Sequence, residues 1–450
     1  MLALLCLVLS ALLWISGLTS SLGRPSVQND LELHQLELAS LAADLVPPAL
    51  APALVGDNPR ARLAEALSLQ IGAADPPAPA LRRLELALLE RSGSKAESAP
   101  EASLRELIPM VEARRRPLLE ALLRAERLEP GEQQSLLAAW QAPPLVAQLS
   151  CEQLGGPQSQ CPAATHRSRW LGRLIAVNLL PALLLLIGAL LLVRELWLLG
   201  RGRLPSPPPL LGPPLSLVDA TLLIAGGFVL IGELLLPQLV QPGLQSVLRS
   251  WVASPALGQG LQVLLLYGAV TLTPLAILGR MLRAAPEPSP AGGWLQWGWL
   301  PPTTVLRQAL LMVLLVMPLV ALSSWLVELI WSDPGGSNPM LELLLNGSDP
   351  LTLACFAITA LVLAPLFEET LFRGVLLPVL GRWLGSRRAV LLSAALFAAA
   401  HLSLGEFVPL FVLGIGLGVL RLRSGRLAAS VLMHALWNGL TFVNLLLLGS

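Results

Sequence analysis

Residues 350–381 read PLTLACFAITALVLAPLFEETLFRGVLLPVLG, an apolar run long enough to cross a bilayer, with two carboxylates and an arginine set deep inside it. About 20 apolar residues span a membrane as a helix. An ionisable side chain within such a span costs roughly 2.5–3.5 kcal/mol on insertion scales, so Glu368, Glu369 and Arg373 must be paired or hydrated. On a helix Glu369 and Arg373 are i,i+4 neighbours and share a face. Glu368 points about 100° away and is left free to act. Pro365 stands three residues ahead of the pair, where a kink is expected.

Three further spans follow, near 388–404, 407–422 and 427–448, and each end of the set carries buried polar chemistry. Phe397 and His401 are i,i+4, as are His434 and Asn438. The polar turn between the first two spans centres on Gly385, with Glu368 17 residues before it and His401 16 after it. At 1.5 Å per residue both lie roughly 25 Å from that turn along the chain. Asn438 lies about 13 residues, or roughly 20 Å, beyond the turn at Ser424-Gly425, and His434 is somewhat shallower. Three helices thus bring a carboxylate, two imidazoles and an amide to similar depth. Gly414, Gly416 and Gly418, with Ala398-Ala399-Ala400, give faces smooth enough for close packing.

The rest of the chain fits a polytopic membrane protein. Of 450 residues, 54% are hydrophobic and 13% charged, with a mean hydropathy of +0.68; soluble domains carry nearer a quarter charged. The net charge of +1 implies no nucleic-acid partner. Earlier spans are expected near 172–199, 216–239, 261–282 and 305–331, with a Pro-rich linker at 204–215 and an interfacial stretch at 284–303. Residues 2–18 form an apolar helix, read as a retained anchor in preference to a signal peptide. Residues 24–165 differ: apolar positions such as Leu81, Leu84 and Leu88 recur at helical spacing among charges. Ser103 and Glu106 suggest a capping box, and Pro47-Pro48, Pro76-Pro77 and Pro143-Pro144 punctuate the segment. The expected fold is all-α: about eight core transmembrane helices preceded by an N-terminal apolar helix (1–20) and a small α-helical soluble domain (21–165). The transmembrane part divides into 166–304 and 305–450.

Arg201, Arg203, Arg280, Arg283, Arg307, Arg382, Arg387, Arg388, Arg421, Arg423 and Arg426 fall in alternate loops, which the positive-inside rule assigns to the cytoplasm. The 24–165 domain then lies on the opposite side, although Arg167, Arg169 and Arg173 count against that placement. Cys151 and Cys161 can pair if their compartment is oxidising, whereas Cys6 and Cys355 read as buried small apolar residues. Arg194 is expected to snorkel, Glu328 to lie near an interface, and Glu233 has no evident reason to be in a span.

The pattern Glu368-Glu369…Arg373, then Phe397…His401, then His434…Asn438, on separate spans, resembles the CPBP family of type II CAAX prenyl endopeptidases and bacteriocin-processing relatives. The likeness covers roughly 305–448. It implies an intramembrane endopeptidase acting on a membrane-associated protein or peptide. Glu368 would be the general base and His401 would help bind water. His434 and Asn438 would stabilise the oxyanion, and Glu369 and Arg373 would hold the geometry. Glu368, His401 and His434 are also a ligand set for a divalent metal such as zinc, although HExxH is absent. The rival is a non-proteolytic scaffold or immunity-type member of the same family. Taken singly, His401, His434 and the Glu369–Arg373 pair each read as packing groups, and Phe397 as core. The soluble domain is a candidate for binding a protein partner.

Overall fold

The computed structural model describes residues 1–24, 27–73, 79–93, 99–155, 161, 165–331, 343–344 and 349–449. Every regular element among them is helical. The chain divides into two compact units, Gln28–Pro181 with Leu447–Ser450, and Met1–Val27 with Ala182–Leu446.

In the first unit the helices longer than one or two turns are α2 (Val27–Ala42), α3 (Pro59–Ala73), α4 (Ala80–Ser92), α5 (Ala99–Leu107), α6 (Arg116–Arg124), α7 (Pro130–Trp140) and α8 (Pro144–Gln153). Leucines at helical spacing supply its core: Leu84 and Leu88 of α4, Leu104 of α5 and Leu118 of α6 are fully buried. Prolines open α3, α7 and α8, where a missing N–H costs nothing because the first turn has no acceptor for it. The capping box at Ser103 is corrected: α5 starts at Ala99, so Ser103 lies inside the helix. Pro76-Pro77 fall outside the described residues. Cys151 and Cys161 form a disulfide with their Cα atoms 5.9 Å apart.

The second unit holds α1 (Leu2–Ser21), most of α9 (Arg167–Gly200), α10 (Leu217–Trp251), α11 (Pro255–Arg283), α12 (Pro302–Ile330), α13 (Pro350–Leu384), α14 (Ser386–Ala400), α15 (Leu404–Ser424) and α16 (Leu427–Leu448). All but α14 are long and apolar enough to cross a membrane, and the protein is an integral multi-pass membrane protein. The expected span at 388–404 is corrected. It is a helix of 15 residues, about 22 Å long against a hydrocarbon core of about 30 Å. It stops at His401, and Leu402 turns the chain with a φ of 52°. The Ser403 hydroxyl then caps α15 by accepting from the Glu406 amide.

Small residues bring these helices together. A Cβ on Gly188 of α9 would sit 2.2 Å from the Leu314 carbonyl oxygen of α12, and one on Gly416 would sit 2.4 Å from Val316. Gly414 and Gly418 close on Ala394 and Val390 of α14. α1 is stitched in by polar bonds as well as packing: Ser10 Oγ donates to the Ala225 carbonyl (2.9 Å), and Ser21 Oγ accepts from the Leu404 amide (3.1 Å). Arginines tie the linkers down. Arg382 donates to the carbonyls of Pro213 and Leu215, and Arg421 to that of Leu211, which clasps the Pro-rich 204–215 linker. In the 284–303 stretch the carbonyls of Gln296 and Trp297 accept from the Leu427 and Ala428 amides, satisfying donors that the first turn of α16 cannot.

Proline has a further effect here. The wide-turn (π) segments Leu222–Leu235, Thr359–Leu363 and Thr370–Leu376 each end two residues before a proline: Pro237, Pro365 and Pro378. At each end the last amide bonds five residues back, as Ala364 does to Thr359 and Leu377 to Phe372. Proline lacks an N–H and its ring crowds the carbonyl four residues back; opening the turn upstream removes that clash. The expected kink at Pro365 is thus expressed as a widened turn.

Candidate active site

Glu369 and Arg373 pair as their spacing dictates. Arg373 Nη1 donates to Glu369 Oε1 at 2.8 Å, and both side chains are fully buried. A buried ion pair needs further hydrogen bonds to offset desolvation, and both members have them. Arg373 Nη2 donates to the Gly414 carbonyl of α15 at 3.0 Å, a contact that the Cβ-free face of α15 permits. The guanidinium also lies over the Phe397 ring, 4.4 Å from its centroid. Glu369 Oε1 is 3.0 Å from His434 Nδ1. Since the carboxylate oxygen can only accept, the tautomer assigned from this partner carries its proton on Nδ1 and turns Nε2 the other way.

That other way is Glu368. His434 Nε2 stands 3.9 Å from Glu368 Oε2, too long for a hydrogen bond. Glu368 Oε1 accepts from Tyr267 Oη of α11 at 3.1 Å, and among the described residues Oε2 has no hydrogen-bond partner. Glu368 keeps 17% of its side-chain surface exposed while Glu369 keeps none. Two adjacent carboxylates therefore differ in circumstance: one is fully buried in the core and the other is partly exposed.

Phe397 is packed at the centre of the rings. Its centroid is 4.7 Å from His401, 5.5 Å from Phe372 and 5.7 Å from His434, all edge-on. His401, at the end of α14, bonds through Nδ1 to the Phe397 carbonyl at 2.8 Å; no hydrogen bond or ion pair joins it directly to Glu368. Asn438 Nδ2 donates to the Ala360 carbonyl at 2.8 Å. The widened turn explains that acceptor. In the five-back register the amide due to bond Ala360 is that of Pro365, which has none. Proline frees the carbonyl, and Asn438 takes it, which ties α16 to α13.

The structure thus brings Glu368, Glu369, Arg373, Phe397 and His434 into one connected cluster. His401 and Asn438 stand on its edges, each held by a backbone carbonyl. The metal set Glu368, His401 and His434 does not assemble: among the described residues no three His, Cys, Asp or Glu side chains are placed to share an ion. Sequence reasoning passed over Tyr267. Its signal was rarity, since it is the one tyrosine of the chain and sits in an otherwise apolar span.

Comparison with known proteins finds matches for two parts of the chain. Residues 28–171 match a domain of unknown function, DUF8675. An uncharacterized 24.3 kDa protein of Escherichia coli is 43% identical over 86 residues, 17% of this chain and 38% of that protein's own length. No solved structure matches significantly. Residues 350–440 match the model for type II CAAX prenyl endopeptidase Rce1-like proteins, and this C-terminal segment, similar to that family, carries every motif residue from Glu368 to Asn438.

Proposed function

We propose that this protein is an intramembrane endopeptidase that hydrolyses a peptide bond of a membrane-associated protein or peptide, with Glu368 as the general base. The observation that carries the reading is the contrast between the adjacent carboxylates. Among the described residues each keeps Oε2 without a hydrogen bond, but Glu369 is fully buried and ion-paired to Arg373, while Glu368 has no cation, is partly exposed and turns its Oε2 toward a histidine nitrogen. A general base must lie within hydrogen-bond reach of its water, so this reading requires a water to be admitted between Glu368 Oε2 and His434 Nε2, which stand 3.9 Å apart.

Glu368 takes a proton from this water as its oxygen attacks the peptide carbonyl. The proton then passes to the leaving nitrogen, the C–N bond breaks, and a carboxylic acid and an amine remain. With its Nδ1 proton committed to Glu369, His434 offers a donor to the oxyanion at Nε2 only as the imidazolium. Asn438 has a second amide hydrogen beyond the one given to Ala360. Fixed donors in a low-dielectric site stabilise such charge strongly. His401, edge-on to Phe397, is read as helping to bind the water. No step is assigned to a metal. The Gln28–Pro181 unit is read as the part that engages a protein partner.

The rival, a non-proteolytic member of the family, draws on the bonds that tie His401 and Asn438 to backbone carbonyls. Proteomics of membrane fractions separates the two. Wild type should generate new protein termini that Glu368→Ala and His401→Ala do not, with all three chains accumulating equally. Identical termini profiles would refute the proposal.

A further inference from the structure

Glu233 is the ionisable residue whose presence in a span had no evident reason, and Tyr267 is the chain's sole tyrosine. Both stand near Glu368. Tyr267 Oη donates to Glu368 Oε1 at 3.1 Å. Glu233, on the widened turn of α10, accepts from Trp14 Nε1 of α1 at 3.4 Å. Glu233 also lies within electrostatic range of the Glu368 carboxylate. The backbones carrying the two residues are closely apposed: a Cβ on Gly232 would sit 3.2 Å from the Val270 carbonyl, and one on Gly227 would sit 3.1 Å from Ile277. None of Trp14, Glu233 and Tyr267 lies in the family-matched segment, 350–440.

A carboxylate that must accept a proton at one oxygen works best when the other is fixed, because its rotation would otherwise scatter the attacking water. Within an apolar span few donors are available for that task. The phenol meets Oε1 on the side away from His434, and Oε2 stays unbonded. We propose that Tyr267 is a positioning residue for Glu368, with Glu233, held by Trp14, as a second carboxyl near it. The site then extends through α1, α10 and α11. This role rests on the hydrolytic reading given above.

Because the chain has one tyrosine, 3-fluorotyrosine incorporated into the full-length protein in detergent places fluorine at one site. Its 19F resonance should move in Glu368→Gln and, less, in Glu233→Gln. A resonance unmoved by Glu368→Gln would overturn the placement, whether or not the protein is a protease. With a cleaved substrate in hand, Tyr267→Phe should lower kcat about tenfold or more with KM within about twofold. An unchanged kcat, or a rise in KM alone, would overturn the positioning role. An inert wild type whose fluorine signal still answers to Glu368→Gln would refute hydrolysis and leave the Tyr267–Glu368 contact standing. Should Tyr267→Phe fail to fold, Trp14→Phe and Glu233→Gln test the same placement from α1 and α10.

Discussion

Arg82 in the Gln28–Pro181 unit and Arg373 in the membrane unit are both largely buried arginines that bond a carboxylate about one helical turn away, yet only one of them lies beside a carboxylate left over. Arg82 Nη1 contacts Glu85 (3.0 Å) and Glu37 together. One cation is shared by two acids, and both are spent on it. Arg373 answers to Glu369 alone and takes its second bond from a backbone carbonyl. Glu368, next along the chain, bonds Tyr267 instead. The first arrangement joins α2 to α4. The second joins α13 to α15 and α16, and holds a histidine against a partly exposed carboxylate. Burial of charge alone does not mark a working site; an unconsumed acceptor beside a fixed network is the better sign.

The largest expected difference is in stability. Arg373→Ala leaves Glu369 buried without its cation, a loss of about 3–5 kcal/mol. Arg82→Ala should cost less, on the order of 1–2 kcal/mol, because Glu37 retains access to water. Thermal unfolding of the full chain in detergent, read separately for the two units by pulse proteolysis, checks this. Equal losses would erase the distinction.

Packing separates the units in the opposite sense. Removing atoms should harm the first, where Leu88→Ala empties a fully buried position at a cost of about 2–5 kcal/mol. Adding atoms should harm the second, where Gly188→Ala drives a methyl into the Leu314 carbonyl at a cost of about 1–3 kcal/mol. Unfolding midpoints of the two variants would show whether one is large and the other negligible, which would contradict the account.

How legible this was depends on the range of the interaction. The i,i+4 pairing of Glu369 with Arg373 and the shared depth of three motifs follow from helix geometry, so the sequence suffices for them. Gly385 does mark the turn, with a φ of 75°. The early stop of α14 escaped notice because Ala398-Ala399-Ala400 is as helical as any run before it. The end is set by His401 and Leu402 meeting their neighbours, as when Ser21 of α1 takes the Leu404 amide. Tyr267 and Trp14 escaped for the same reason: each is 101 residues or more from its partner, and nothing local announces such a bond. The Ala360 carbonyl taken by Asn438 needed the widened turn, which proline suggests without fixing its register. The apparent capping box at Ser103 was a motif match that lost to a helix already begun at Ala99.

A smaller effect distinguishes the units by pH. Burial first, and Glu37 second, push Glu85 up to about 8 against the opposing pull of Arg82. A carboxyl raised on folding gives stability that is complete below its unfolded value, near 4.5, and is lost as pH rises through about 8. Glu85→Gln, neutral throughout, should therefore gain on wild type as pH rises from about 5 to about 8, by on the order of 1 kcal/mol. Unfolding of the Gln28–Pro181 unit at several pH values reads it. A gap that narrows with rising pH would mean that Glu85 ionises readily in the folded unit.

The most direct test of the central claim is the rate at which purified, monodisperse Glu368→Gln cleaves a membrane-tethered substrate of the wild-type protein. If Glu368 is the base that activates water, the rate should fall by about 10²–10⁴ with the unfolding midpoint unchanged. Cleavage at the wild-type rate would contradict that role and return Glu368 to packing.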